Sequence, residues 1–231
     1  MIKELLHDLL HLVYPHLCVG CQEEPVDNDE LFCVRCESKL PLTDFHQFGD
    51  NEALRRISNH QLFKSGTSMF RFYPGGIVQK MIHEIKYKAQ TNIALRLGKR
   101  YGILLSNAMA FKEIDCVIPV PLHPIKQRQR GFNQSKFFAE GLATSMQKHL
   151  YLNMVRRVMH TDTQTGKNRY ERLKSIMYAF EKGSAAAHLQ NKHVLLVDDV
   201  LTTGATLESC ATALSSIRGI KLSFATIALA Q

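Results

Sequence analysis

Residues 193–206 read His-Val-Leu-Leu-Val-Asp-Asp-Val-Leu-Thr-Thr-Gly-Ala-Thr. The apolar run at the beginning predicts a buried strand, and the residues after Gly204 predict the start of a helix. Backbone amides at a helix start bind anions, so a phosphate monoester fits this turn. Asp198 and Asp199 end the strand, where carboxylates can accept hydrogen bonds from ribose hydroxyls or hold Mg²⁺ through water. Each half alone is also typical of a solvated turn or a simple helix cap, but the two in this order favour a sugar-phosphate site.

Outside this segment, apolar patterns of strand and helix alternate along most of the chain. The alternation predicts an α/β fold with a mostly parallel sheet and helices on both of its faces. The predicted strands cover residues 67–72, 115–120, 154–159, 176–180, 193–197 and 222–229, and the predicted helices cover 77–87, 93–109, 133–150 and 203–218.

The first third of the chain has a different pattern, and we divide it from the main domain at 67–231. Residues 1–13 carry apolar side chains at helical spacing and predict an amphipathic helix. We expect this helix to pack on the rest of the protein, with binding to a partner or a membrane surface as the alternative. A cysteine module follows at 14–40, and the weakly patterned, polar residues 41–66 are interpreted as a linker.

Four of the six cysteines form two closely spaced pairs, which is typical of a structural zinc site with four thiolates at about 2.3 Å. Whether such a module serves only as a scaffold or also contacts DNA stays open. Cys116 and Cys210 lie in apolar surroundings and are predicted to be core thiols. The predicted zinc ligands are Cys18, Cys21, Cys33 and Cys36.

Composition excludes several classes of protein. The chain has 231 residues, of which 45% are hydrophobic and 22% charged, and this indicates a globular protein rather than a disordered one. It contains no run of roughly 18 to 20 apolar residues, so we expect no transmembrane segment. The first residues lack the uninterrupted apolar stretch of a secretory signal. We therefore expect a cytoplasmic protein, with a peripheral position at the inner face of the membrane as the alternative.

The net charge of +8 is concentrated in one part of the chain. Residues 123–174 hold eleven basic and three acidic residues, so this segment carries the whole excess. A polyanion is the natural partner of such a segment. The cations can stabilise a departing pyrophosphate or can follow a single strand of DNA whose bases stack on aromatic rings, and both uses stay open. The DNA-binding candidates are Lys126, Arg128, Arg130, Phe132, Lys167, Arg169 and Arg172.

Residues 195–206 resemble the signature of type I phosphoribosyltransferases, which binds phosphoribosyl pyrophosphate. From Tyr14 onward the chain also resembles the ComF family of competence proteins. This resemblance implies a role in natural transformation, with single-stranded DNA and other DNA-uptake proteins as partners. It rests on the cysteine module, on residues 72–87, on Pro119-Val-Pro-Leu-His-Pro, on Arg128-Gln-Arg-Gly-Phe-Asn-Gln, and on Gln164 with Arg169 and Arg172.

The resemblance assigns roles to individual residues. Asp198 and Asp199 become the ribose-binding acids and the catalytic candidates, with Mg²⁺ and zinc as the implied cofactors. Val120 and His123 fall in the pyrophosphate loop, and residues 160–175 correspond to a loop that closes over the substrate. The implied cradle for the 5′-phosphate is Thr202, Thr203, Gly204, Ala205 and Thr206.

Two hypotheses about activity follow. In the first, the chain is a phosphoribosyltransferase that moves phosphoribose to a nitrogen acceptor and releases pyrophosphate. In the second, it binds phosphoribosyl pyrophosphate and single-stranded DNA without turnover and acts in DNA uptake. No residue in the sequence identifies an acceptor base or amine, which favours the second.

Overall fold

The computed structural model describes residues 15–158 and 179–231. The predicted helix at 1–13 and the predicted substrate-closing loop at 160–175 lie outside these ranges. Among the DNA-binding candidates, the residues outside the described ranges are Lys167, Arg169 and Arg172. Within the described ranges, no helix combines the length and the apolar character that a membrane crossing requires.

The described residues form seven strands, seven α-helices and four short 3₁₀ helices. The strands are β1 (Ser65–Phe72), β2 (Cys116–Pro119), β3 (His149–Leu150), β4 (Val155–Arg157), β5 (Phe180–Lys182), β6 (His193–Leu201) and β7 (Lys221–Ala230). The helices are α1 (Val34–Glu37), α2 (Glu52–Arg55), α3 (Ile77–Tyr87), α4 (Thr91–Asn107), α5 (Pro124–Arg130), α6 (Gln134–Met146) and α7 (Ala205–Leu214).

Five strands form one parallel sheet in the order β1-β7-β6-β2-β3. At its centre β6 pairs with β7, so that Val194 lies beside Leu222 and Val197 beside Ala225. β4 and β5 form a separate antiparallel pair. The predicted fold class, a mainly parallel sheet with helices, is therefore confirmed.

Both faces of this sheet are covered, as the unbroken apolar run of β6 requires. Successive side chains of a strand point to opposite faces. Leu195 and Val197 join the apolar cluster that includes residues of α3, α4 and α6, whereas Val194 and Leu196 join the one that includes residues of α7. The carboxyl end of β6 thus opens between two packed layers.

Residues 41–66, which the sequence pattern suggests are a linker, pack against the sheet instead. Phe45, Ala53, Ile57 and Phe63 are buried in the same cluster as α7, and the Phe63 ring meets Phe224 edge-on at 5.1 Å between centroids. The apolar residues of this segment follow neither a helical nor a strand period, because short turns connect them, and their pattern therefore gives no signal of burial.

The helix predicted over 133–150 begins as expected and ends earlier. Asn133 caps α6, since its Oδ1 accepts a hydrogen bond from the Ser135 amide at 3.1 Å. Gln147 takes a left-handed conformation with φ 54°, which ends the helix after Met146. The next residues form β3, which extends the sheet beside β2.

Helices α4 and α6 approach each other through glycines. A Cβ atom added to Gly98 would lie 2.2 Å from the Phe138 carbonyl oxygen, and one added to Gly141 would lie 2.1 Å from the Leu95 carbonyl oxygen. The two backbones are thus in direct contact, which leaves no room for any side chain at these positions.

Candidate functional site

Two adjacent carboxylates, Asp198 and Asp199, lie near the carboxyl end of β6. The Asp198 Oδ1 atom accepts hydrogen bonds from the Ser135 hydroxyl and from the Asp199 amide, both at 2.9 Å. Because Ser135 belongs to the first turn of α6, the packing of that helix fixes the orientation of the first acid.

The second acid is held by three donors. Asp199 Oδ2 accepts a hydrogen bond from Gln134 Nε2 at 2.8 Å and pairs with Lys86 Nζ at 2.7 Å. Its Oδ1 accepts a hydrogen bond from the Val200 amide at 2.6 Å. Gln134 in turn accepts a hydrogen bond from Arg130 at 3.2 Å, so the acid pair is linked to the basic helix α5.

The acids face a cleft of about 340 Å³ between the ends of β2 and β6. Four cationic side chains and two carboxylates line it, so the cleft suits a ligand with several negative charges. The lining residues are Lys86, Val120, Pro121, Leu122, Lys126, Arg130, Asn133, Gln134, Ser135, Arg157, Asp198, Asp199, Val200, Thr202 and Thr206.

The environment of Asp198 disfavours its charge. Burial, followed by the neighbouring Asp199 carboxylate, raises the pKa of Asp198 to about 7. Asp199 is neutralised by Lys86 at 2.7 Å. The pair therefore contains Asp199, whose charge is balanced by Lys86, and Asp198, whose charged form a bound cation would stabilise.

This pKa makes stability depend on pH in a defined direction. Asp198 ionises near its ordinary 3.8 in the unfolded chain and near 7 in the folded one, so stability falls as the pH rises between those values. We expect Asp198→Asn to be more stable than the native chain at pH 8 by about 1–2 kcal/mol, and therefore to unfold at a higher temperature, because it removes a like-charge contact. The advantage should shrink as the pH falls toward 4. Thermal unfolding across this range measures it.

Asp199→Asn is the matched control. It should lower stability by about 1–3 kcal/mol at pH 8, because Lys86 loses its partner in a half-buried position. A native chain more stable than Asp198→Asn at pH 8 would contradict the prediction.

The turn after β6 has the geometry of an anion cradle. Gly204 is left-handed, with φ +83°, and α7 begins at Ala205. Thr202 and Thr203 are exposed, and Thr202 and Thr206 line the cleft. The start of α7 and these hydroxyls thus supply donors on the same side as the acid pair.

The loop after β2 contributes unevenly to the cleft. Val120 lines it, and the Val120 carbonyl oxygen accepts a hydrogen bond from Asn133 Nδ2 at 2.9 Å. His123 is buried and caps α5, since its Nδ1 accepts a hydrogen bond from the Ile125 amide at 3.2 Å. In the described structure His123 has a capping role and does not line the cleft.

Helix α5 presents basic residues beside the cleft. Lys126 and Arg128 are exposed, and Lys126 also lines the cleft. The Arg130 guanidinium lies 5.4 Å from the centroid of the exposed Tyr87 ring. Phe132 is half-buried against Phe137 at 6.2 Å between centroids. The basic residues and an exposed aromatic ring therefore form one surface next to the acid pair.

The four predicted zinc ligands come together at one place. Their sulfur atoms all lie within 4.8 Å of one another. A Cβ added to Gly20 would lie 2.9 Å from Cys36 Sγ, so the loop closes tightly around the sulfurs. Backbone amides lower the pKa of Cys21 to about 6, whereas burial and the other thiols raise the pKa of Cys36 to about 12. A set of four such thiols fits a zinc ion, which favours thiolates.

The cysteine module packs firmly on the main domain. Cys18, Cys33 and Cys36 belong to the apolar cluster that contains residues of α3 and α4. Gln22 donates a hydrogen bond to Glu84 of α3 at 2.9 Å. The module and the domain therefore share one core.

The cleft also contains residues that the sequence-based prediction did not assign to the site, among them Lys86, Gln134, Ser135 and Arg157. Gln134 and Ser135 directly follow Asn133, where the predicted helix at 133–150 begins, so a signal existed for them. No sequence signal distinguished the other two, because Lys86 lies on a helix whose polar positions are typical of a solvated face, and Arg157 is one of many basic residues in its segment. Burial lowers the pKa of Arg157, whose guanidinium stacks 5.2 Å from the Phe180 ring centroid.

Comparison with known proteins shows what this chain is similar to. Residues 134–230, which contain the acid pair and the cradle, match the family described as "Phosphoribosyl transferase domain". The chain is 28% identical to Competence protein F of Haemophilus influenzae, over 86% of this chain and 83% of that protein. It is 26% identical to Competence protein ComFC of Bacillus subtilis, over 79% and 77%. The chain is similar to the ComF competence proteins.

A further relative of this ComF-like chain carries a different name. The DNA utilization protein YhgH of Escherichia coli is 28% identical over 57% of this chain and 58% of that protein. The predicted resemblance to ComF is thus confirmed, together with a phosphoribosyltransferase-type fold behind a four-cysteine module.

Proposed function

We propose that this ComF relative acts in DNA uptake and binds phosphoribosyl pyrophosphate with Mg²⁺ in the cleft, and single-stranded DNA on the adjacent surface of α5. One observation carries the proposal: the paired acids and the turn at Gly204 face the same cation-lined cleft. The names of the relatives, competence protein and DNA utilization protein, support the DNA-uptake role.

The two halves of the cleft suit the two ends of a phosphorylated sugar. A 5′-phosphate would lie at the start of α7, where Thr202, Thr206 and the backbone amides can donate hydrogen bonds. Ribose hydroxyls would then face Asp198 and Asp199, which lie on the strand that leads into this turn. The pyrophosphate would then lie near Lys126 and Arg130.

The residues present also fit a magnesium ion. Asp198 and Asp199 supply hard carboxylate oxygens to the lining of the cleft, and the ion pair with Lys86 is made by Asp199. Bound Mg²⁺ would supply positive charge against the phosphates of the ligand. The protein's own contribution is to hold the two carboxylates through Ser135 and Gln134.

Calorimetric titration with phosphoribosyl pyrophosphate in Mg²⁺ tests this site. We expect the native chain to bind, and Thr202→Ala with Thr203→Ala to weaken binding about tenfold or more, because charge-assisted hydrogen bonds to the phosphate are lost. Thr212→Ala, an exposed threonine in the last turn of α7, is the control and should bind normally. The absence of binding by the native chain at millimolar ligand would overturn the proposal.

The DNA surface follows from the charges on α5. Lys126 and Arg128 are exposed beside Arg130 and Tyr87, so a strand could place phosphates on the cations and a base against the ring. This surface borders the cleft. In our proposal, it binds the incoming single strand in the cytosol.

The salt dependence of single-strand binding tests that surface. We expect Lys126→Ala with Arg128→Ala to weaken binding and to reduce the slope of log K against log salt by about 1 to 1.5, because two fewer phosphates are neutralised. Lys112→Ala with Lys221→Ala removes the same charge at two exposed lysines, one in the turn before β2 and one at the start of β7, and should leave the slope unchanged. Fluorescence anisotropy with a labelled oligonucleotide measures both, and equal slopes for the two double variants would contradict the proposal.

The second candidate function is transfer of phosphoribose. The observation that favours it is the set of four cationic side chains on the cleft, which could stabilise pyrophosphate as the bond from ribose C1 to its oxygen breaks and a bond to an acceptor nitrogen forms. Pyrophosphate release that requires an added acceptor, and that is lost in Asp198→Ala with Asp199→Ala, would establish this reaction. Binding without release across a broad acceptor panel would exclude it.

A further inference from the structure

Lys86 occupies a position that the proposed sugar-phosphate site does not explain. It lies one residue before the end of α3, its side chain is 20% exposed, and its Nζ atom lies 2.7 Å from Asp199 Oδ2. Partial burial of a lysine is unfavourable unless its ammonium group is paired, because that group is removed from water. Here the ammonium neutralises a carboxylate that the proposed ligand and its metal ion would need.

Asp199 does not depend on Lys86 for its orientation. Gln134 Nε2 donates to the same oxygen at 2.8 Å, and the Val200 amide donates to the other oxygen at 2.6 Å. The carboxylate can therefore keep its place when the lysine moves. The lysine itself can move, because its charge sits at the end of a flexible four-carbon chain.

Lys86 also shares the cleft with three other cations, namely Lys126, Arg130 and Arg157. An ammonium group released from Asp199 would stay among groups that attract the phosphates of a ligand. The same side chain can thus serve two partners in turn, a carboxylate in the empty cleft and a phosphate in the filled one.

We propose that Lys86 is a positioning residue that serves as an internal counter-ion for Asp199 and is displaced when Mg²⁺ arrives with a phosphorylated sugar. It opposes the binding of the bare metal ion and favours the binding of the anionic ligand. This inference rests on the proposed function of the cleft. It makes the cleft selective for the complex of metal and ligand over the bare metal ion.

The test uses the full chain and three variants: Lys86→Met, Lys86→Arg, and Lys88→Met as the control. Lys88 is exposed and pairs with Glu84 at 2.9 Å, outside the acid pair. Electron paramagnetic resonance of Mn²⁺, a stand-in for Mg²⁺, measures binding of the bare ion. Calorimetry with phosphoribosyl pyrophosphate in Mg²⁺ measures binding of the complex.

We expect opposite changes from Lys86→Met: about tenfold tighter Mn²⁺ binding and about tenfold weaker binding of phosphoribosyl pyrophosphate. Lys86→Arg keeps the positive charge and should change both affinities less than Lys86→Met does, whereas Lys88→Met should behave like the native chain in both measurements. Mn²⁺ binding that is unchanged or weaker in Lys86→Met would overturn the inference. If that variant is unstable, Mg²⁺ alone should raise its melting temperature more than that of the native chain, and an equal or smaller rise would also overturn it.

The two proposals fail separately. A native chain that does not bind phosphoribosyl pyrophosphate removes the proposed function, whereas the Mn²⁺ measurement still decides the role of Lys86. If the native chain binds the ligand and the Lys86→Met variant binds both Mn²⁺ and phosphoribosyl pyrophosphate normally, only the counter-ion role of Lys86 is overturned.

Discussion

Cys36→Ser is expected to remove bound zinc almost completely and to lower the stability of the whole protein, by about 3 kcal/mol or more. The Cys36 thiol is buried beside three other sulfurs, and burial raises its pKa to about 12, so its thiolate is unfavourable without a metal ion. Zinc favours the thiolate and joins the four sulfurs. Because the cysteines share an apolar cluster with residues of α3 and α4, the loss should extend beyond the module.

Elemental analysis of purified protein and thermal unfolding measure this effect. Cys116→Ala is the matched control, since Cys116 is also a buried cysteine but lies in the sheet, in the other apolar cluster. It should lose about 1 kcal/mol from the cavity and keep about one equivalent of zinc. A Cys36→Ser protein with a full equivalent of zinc and an unchanged melting temperature would refute the zinc assignment.

Gly204→Ala is expected to produce the largest loss at the cleft. The residue is left-handed, with φ +83°, and an added Cβ would lie 2.9 Å from Ile57 Cγ1 and 3.2 Å from Ile57 Cα. The strain of about 1–2 kcal/mol and a similar contribution from overpacking should together destabilise the fold by about 2–4 kcal/mol. A displaced turn should also weaken binding of phosphoribosyl pyrophosphate about a hundredfold, because the donors at the start of α7 no longer converge.

Gly75→Ala is the matched control, because it separates the effect of backbone strain from that of the contact with Ile57. Gly75 has nearly the same backbone conformation, with φ +77°, but no heavy atom lies within 4 Å of an added Cβ. This variant should lose about 1 kcal/mol and bind the ligand normally. Equal effects of the two substitutions, measured by calorimetry and thermal unfolding, would show that the contact with Ile57 does not shape the cradle.

Local patterns predicted the central elements of this fold well. The helix predicted over 77–87 matches α3, and the apolar run at 193–197 falls within β6. β6 continues to Leu201 because Asp198 and Val200 still pair with β7, beside Thr226 and Ala228. The carboxylate can lie inside the strand because hydrogen bonds from α6 stabilise it. This is a tertiary contact, which an apolar pattern in the sequence cannot reveal.

The site was predicted less completely, for a similar reason. The acids and the turn at Gly204 lie on one continuous segment, so the sequence alone places them next to each other. Lys86 and Arg157 reach the cleft from other elements, and only the packing of α3 and β4 brings them there. Ile57 shows the same limit, because its role beside Gly204 depends on a segment whose pattern resembled a linker.

The contact between the backbones of α4 and α6 has a consequence for the evolution and engineering of this protein. α6 presents Gln134 and Ser135 to the acids, and its spacing from α4 is set where Gly98 and Gly141 touch. A methyl group at either glycine would push the helix away and carry both donors with it. In a saturation-mutagenesis screen for transformation, these two interior positions should therefore tolerate as few replacements as the carboxylates they serve from a distance.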